Sequence, residues 1–225
     1  MIYHAYSAYN PNNADTIRRF GLARKTWELQ GWVEIPVPDS LVRLFVDDKS
    51  SVPYIKDILD WACFGKNPRD IIVFTNSDIC CSPVCSLRVV ASLMFSGAAC
   101  CSRREFDVLH EPLGISEVAA GRHYAGLDLF AFRVEWWERH RSKYPDMLIG
   151  REMWDLIMFC LMETTNPEDN VRLRDLIYHE FHYQFWSDPR HKNSLKSQTH
   201  NLDLGKQWLA SNGYDITRFC TNDWT

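Results

Sequence analysis

The chain has 225 residues, a formal net charge of −4, and 46% hydrophobic against 24% charged residues. That length suits one large domain with an extensive core, and the composition excludes a largely disordered chain. The acidic balance, 25 Lys and Arg against 29 Asp and Glu, excludes the basic footprint of a stoichiometric nucleic-acid coat.

The first residues, MIYHAYSAYN, lack a basic segment followed by an apolar stretch. No signal peptide is expected there, and the expected location is cytoplasmic. Ile2 to Ala8 reads as a strand. Asp15 is expected to cap a helix to about Gln30, because Ile17, Phe20, Ala23 and Trp27 recur at helical spacing, and Gly31 ends it. Trp32–Val37 and Leu41–Val46 read as short strands around the turn Pro38-Asp39-Ser40. Ser51 and Pro53 are expected to open a helix to about Phe64. Ile71 to Phe74 is a continuous apolar run, the pattern of a central strand covered on both faces.

A helix is expected near Leu87–Phe95 and a strand at Ala98–Ser102. The stretch from Val89 to Cys101 is too short and too interrupted to span a bilayer. Arg103 to His123 reads as a long irregular segment. Leu127–Arg133 reads as a strand leading into an aromatic helix at Trp136 and Trp137, and Glu152–Met162 as a helix. Leu176–Tyr178 reads as a short strand, Asp188–His200 as a basic loop, and Asp203 as the cap of a last helix to about Ser211. Strands alternating with helices predict a single α/β domain, residues 1–225, with a mostly parallel sheet flanked by helices.

The eight cysteines fit zinc modules poorly in their spacing, and the adjacent pairs Cys80-Cys81 and Cys100-Cys101 would point to opposite strand faces. Small hydrophobes buried beside the sheet are the expectation. In such a sheet, ligands bind beyond the carboxyl ends of the strands. Asn76-Ser77-Asp78 stands there, after the most apolar strand. A carboxylate so placed suits a divalent cation, which neutralises a diphosphate. The chain has neither GxGxxG nor GxxxxGK[ST], so a dinucleotide fold or P-loop is disfavoured. The same residue types also make an ordinary turn after a strand.

The run IIVFTNSDI, residues 71–79, resembles the Asp-any-Asp strand end of nucleotide-sugar glycosyltransferases with the GT-A fold. The resemblance implies a metal role (Mn²⁺ or Mg²⁺) for Asp78 and a ribose role for Asn76, which departs from the family's Asp. Gly126–Phe132 resembles the strand that closes over the donor sugar. Ile149–Asp155 resembles the segment that offers a carboxylate to the acceptor. An inverting transfer needs one base, which the resemblance assigns to Asp155 first, then Glu152, then Asp128. Glu152 and Asp155 are expected on one side of a helix's first turns. The resemblance also implies a late histidine on the metal, His179 or His182. A zinc hydrolase is disfavoured, since HEFH lacks the HExxH spacing.

On the donor side, Tyr6 and Ser7 end the first strand, Asp48 follows another, and Lys56 and Asp57 lie on the helix before the metal strand. The resemblance implies a UDP-sugar or related donor. The acceptor hydroxyl would belong to a glycan precursor or to a hydroxymethylated DNA base. The basic loop Arg190-His191-Lys192, with Lys196 and His200, would order over a diphosphate or steer a polyanion. The alternatives are a nucleotidyltransferase-like enzyme and a catalytically silent nucleotide-sugar-binding module.

Overall fold

The computed structural model describes residues 1–7, 12–37, 42–47, 50–166, 172–182 and 196–214. Asp48, Pro38-Asp39-Ser40 and Arg190-His191-Lys192 lie outside the described residues. In chain order the elements are β1 (Ile2–Tyr6), α1 (Ala14–Leu29), β2 (Val33–Glu34), β3 (Leu44–Asp47), β4 (Ser50–Pro53), α2 (Ile55–Cys63), β5 (Ile71–Thr75), β6 (Cys80–Cys81), α3 (Cys85–Leu93), β7 (Ala98–Phe106), α4 (Ile115–Ala120), β8 (Arg122–Arg133), α5 (Val134–His140), α6 (Trp154–Thr165), β9 (Arg172–Glu180) and α7 (Lys196–Ser211).

Seven strands form one sheet in the order β2-β1-β5-β8-β7-β9-β6, and β3 pairs with β4 in a separate ribbon. The sheet is mixed, which corrects the mostly parallel expectation. β1 pairs in parallel with β2 and β5, and β7 with β9, but β8 lies antiparallel between β5 and β7, and β6 antiparallel to β9. The connection from β7 to β8 carries only the short α4, so the chain turns back instead of crossing over the sheet.

β5 is buried along its whole length, as its apolar run requires. Alternate residues face opposite layers. Ile72, Phe74, Phe130 and Phe132 pack with α2 and α6, while Ile71, Val73, Leu129 and Ala131 pack with α1 and α3. Each large side chain so buried contributes about 1.5–3 kcal/mol. Seven cysteines are described, all buried and none in a disulfide. Burial pushes the Cys63, Cys100 and Cys160 thiols up to about 12, so they behave as small hydrophobes.

Local boundaries differ from expectation for identifiable reasons. Asn13, not Asp15, caps α1, its side chain accepting from the Thr16 amide at 3.0 Å. Ser50–Pro53 is a ribbon strand, where the proline ends the pairing, and the helix starts only at Ile55. β7 and β8 extend into the segment expected to be irregular, and β9 is longer than its apolar centre. α7 begins at Lys196, so Asp203 lies inside it. Among the described residues no helix is long and apolar enough to cross a membrane.

One buried group makes stability pH-dependent. His4 is fully buried against Trp27, Trp32 and Tyr6, with Nε2 2.9 Å from Thr75 Oγ1. Burial pulls its pKa from 6.5 down to about 3. Between those values the unfolded chain binds the extra proton, so stability is full above pH 6.5 and falls as pH drops toward 3. Acidification from pH 7 to 5 is expected to cost roughly 2 kcal/mol through this residue. Urea unfolding at both pH values, in wild type and His4→Phe, checks this. The variant should show a shallower loss, and an equal loss would place the titration elsewhere.

Candidate metal and substrate site

The mixed sheet delivers five strands to one end. β1, β5, β7 and β9 present their C-terminal ends there, and antiparallel β8 presents its N-terminal half. A cavity of about 510 Å³ opens at this end. Of the residues singled out in the sequence, Ser7, Asn76, Asp78, Asp128, Glu152, Asp155, His179 and His182 line it.

Asp78 sits in the turn after β5, and His179 and His182 at and beyond the end of β9. Asp78 Oδ2 lies 3.2 Å from His179 Nε2 and 2.9 Å from His182 Nε2. The three ligand atoms fall within 4.8 Å of one another. Burial raises the Asp78 pKa, but hydrogen bonds from the two imidazoles outweigh it and hold the carboxyl well below the usual carboxylate range. One carboxylate and two imidazoles converging on a point form a donor set that fits a transition-series divalent cation better than Mg²⁺, which prefers oxygen ligands throughout.

Glu180 anchors the strand end that carries both histidines. It is buried, accepts from Arg18 and from the Leu109 amide at 2.8 Å, and is followed by a bond from the Phe181 amide to the Phe106 carbonyl, also 2.8 Å. On the β5 side, Ser7 Oγ accepts from the Ser77 amide at 3.0 Å, tying the ends of β1 and β5 together.

Asn76 does not stand as an isolated weak ligand. Its Nδ2 donates to Asp128 Oδ1 at 2.7 Å, and Arg103 Nη1 donates to Asp128 Oδ2 at 2.6 Å. Arg103, 4% exposed, also donates to Glu105 at 2.9 Å. It is turned inward where the β7–β8 register shifts, the extra residues lying on β8 between His123 and Leu129. An aspartate at 76 would set two carboxylates against each other; the amide donates instead. Both oxygens of Asp128 are thus engaged.

Asp155 stands in the first turn of α6 and is only partly exposed. Burial, then the charge of Asp128, raises its pKa from 3.8 to about 6. Glu152 lies before the helix, not on it, because Met153 adopts a left-handed conformation with φ 77°. The two carboxylates therefore reach the cavity from a loop and a helix, rather than from one helical face. The loop is held by α7. Asn201 accepts from the Leu148 amide at 2.8 Å and donates to the carbonyls of Leu148 and Glu152 at 2.9 and 3.1 Å. Gln198 accepts from the Glu152 amide at 3.2 Å, and Ser197 Oγ accepts from Arg151 Nε at 2.9 Å.

The remaining expected residues lie elsewhere. Tyr6 packs among His4, Phe20 and Trp27. Asp57 accepts from the Arg43 backbone and guanidinium at 2.8 and 2.9 Å, and Lys56 lies beside it on α2; none of the three lines the cavity. Asp48 is outside the described residues. His200 reaches the Asp146 carbonyl at 2.9 Å on α7.

Sequence reasoning missed Arg103, Tyr124, Arg151 and the α7 side chains. Arg103 and Tyr124 hide in a polar stretch with no apolar period. Ser197 and Gln198 read as loop polarity and Asn201 falls between that loop and the expected helix, although all three are buried. No family model and no curated protein matches the chain.

Proposed function

We propose that this chain is a metal-dependent glycosyltransferase with a GT-A-type sheet, moving a sugar from a nucleoside diphosphate sugar, UDP-linked by preference, to an acceptor hydroxyl. The observation that carries the reading is the meeting, in one cavity, of the Asp78–His179–His182 set with a desolvated carboxylate, Asp155. Asp78, His179 and His182 would hold Mn²⁺ in preference to Mg²⁺ on the strength of their two imidazoles. The bound ion supplies positive charge where the diphosphate departs.

The protein's own groups supply the rest. Asp155 takes the proton of the acceptor hydroxyl, and its raised pKa makes it a stronger base than an ordinary aspartate. Both oxygens of Asp128 already accept, one from Asn76 and one from Arg103, which suits it to orienting a sugar hydroxyl and not to accepting a proton. Glu152 lines the same wall as the alternative base.

A thermal-shift series with Mn²⁺ and Mg²⁺, each with and without UDP and GDP, tests the reading. The expected result is stabilisation by nucleoside diphosphate that requires metal and is larger with Mn²⁺. A response to Mn²⁺ alone would favour a metal site without transfer chemistry. No response to any diphosphate would sink the proposal.

A further inference from the structure

Tyr124, Gly126 and Asp128 lie along the stretch of β8 where its register to β7 shifts, and all three line the cavity. A Cβ built on Gly126 would lie 2.3 Å from Tyr124 Cε1, a distance no real side chain tolerates. The Tyr124 ring therefore lies down along the strand, over the glycine. Its position is fixed a second time by Arg103, whose Cζ stands 3.8 Å from the ring centroid. Arg103 is itself buried and tied to Asp128 and Glu105. Tyr124 lines the cavity, half-buried, and no hydrogen bond to its hydroxyl is formed among the described residues. A tyrosine so immobilised loses little further entropy on binding a ligand.

Charge limits what it contacts. The cavity wall carries the carboxylates of Asp78, Asp128, Glu152 and Asp155 against the guanidiniums of Arg103 and Arg151. Of the two guanidiniums, Arg103 is already spent on Asp128 and Glu105. Among the described residues such a wall repels phosphates other than those a cation neutralises, and it disfavours a nucleic-acid acceptor. Pockets that combine rigid aromatics, here Tyr124 and Trp154, with several convergent polar groups suit an uncharged ligand that has an apolar face and more than one hydroxyl.

We infer that Tyr124, locked by Arg103 over Gly126, is a specificity-determining residue that contacts the second substrate, and that this substrate is a neutral polyhydroxylated ring and not a nucleic acid. This rests on the transferase reading above.

The experiment measures UDP release from UDP-sugars with Mn²⁺ and either methyl glycosides of glucose, galactose and mannose or a DNA duplex containing hydroxymethylcytosine. Wild type, Tyr124→Phe and Gly126→Ala are compared. Glycosides, not DNA, should stimulate release. Tyr124→Phe should raise KM for the glycoside about 3- to 10-fold, the loss of one hydrogen bond, with KM for the donor moved less than kcat or acceptor KM. Gly126→Ala, which displaces the ring without removing it, should give the same signature. Stimulation by DNA alone, no stimulation by any glycoside, or an unchanged acceptor KM in Tyr124→Phe each overturns the inference. The transferase reading fails separately, if wild type shows no metal-dependent response to a diphosphate.

Discussion

Asp78→Ala is expected to abolish the Mn²⁺-dependent stabilisation by UDP and to lower donor turnover by at least about 100-fold, the scale for losing one preorganised electrostatic contact at the reacting charge. Its carboxylate oxygen is the point on which His179 and His182 both converge, at 3.2 and 2.9 Å. Removing it leaves two imidazoles with nothing between them, and two neutral ligands hold a hard divalent ion poorly. Calorimetric titration with Mn²⁺, paired with donor hydrolysis, checks both halves. His182→Ala should fall in the same direction with a smaller structural cost, because His182 is more exposed than His179. Donor turnover that survives Asp78→Ala removes the residue from the mechanism.

Asp155→Asn is expected to lower transfer by about 10²- to 10⁴-fold, the usual worth of a positioned base. Its pH profile carries more information than its rate. A base must be ionised, so log(kcat/KM) in wild type should rise with pH up to about 6 and level off above it. Burial is the larger cause of that raised value and the charge of Asp128 the next. Asp128→Asn should therefore move the inflection toward lower pH without restoring an ordinary aspartate value. An inflection that stays in place uncouples the two carboxylates.

The same residue makes an activity-free prediction. Because its folded pKa lies above the unfolded one, the folded state binds the proton more tightly. Stability thus falls as pH rises from about 4 to about 6 and stays reduced above. Asp155→Asn should unfold at higher denaturant than wild type at pH 7.5, by on the order of 3 kcal/mol at most, and show little gain at pH 4.

The sequence made the sheet end legible because apolar runs announce themselves. Ile71–Phe74 suits a covered strand, and the structure buries it along its whole length with the polar residues at its end. Asp78 follows β5, Asp128 lies within β8, Asp155 stands in the first turn of α6, and His179 and His182 lie at and beyond the end of β9; they meet in one cavity. Strand direction was not legible. Nothing in Leu127–Arg133 distinguishes an antiparallel strand from a parallel one, and the difference lies in the connection before it. The partners were least visible. Asn76 read as a deficit, a missing charge, until the structure paired it with Asp128. Ser197, Gln198 and Asn201 have no apolar period to mark them, because they are buried for their hydrogen bonds.

Those α7 residues act on the cavity from outside it. Backbone groups of Leu148 and Glu152, the Arg151 side chain and the strained Met153 all rest on α7, where Gly205 leaves room that a Cβ would fill to within 2.9 Å of Met153. A change at Gly205, which does not itself line the cavity, is therefore expected to push Met153 aside and to shift the loop that carries Glu152. The shape of that wall is set from behind, by a helix whose contacts lie outside the cavity.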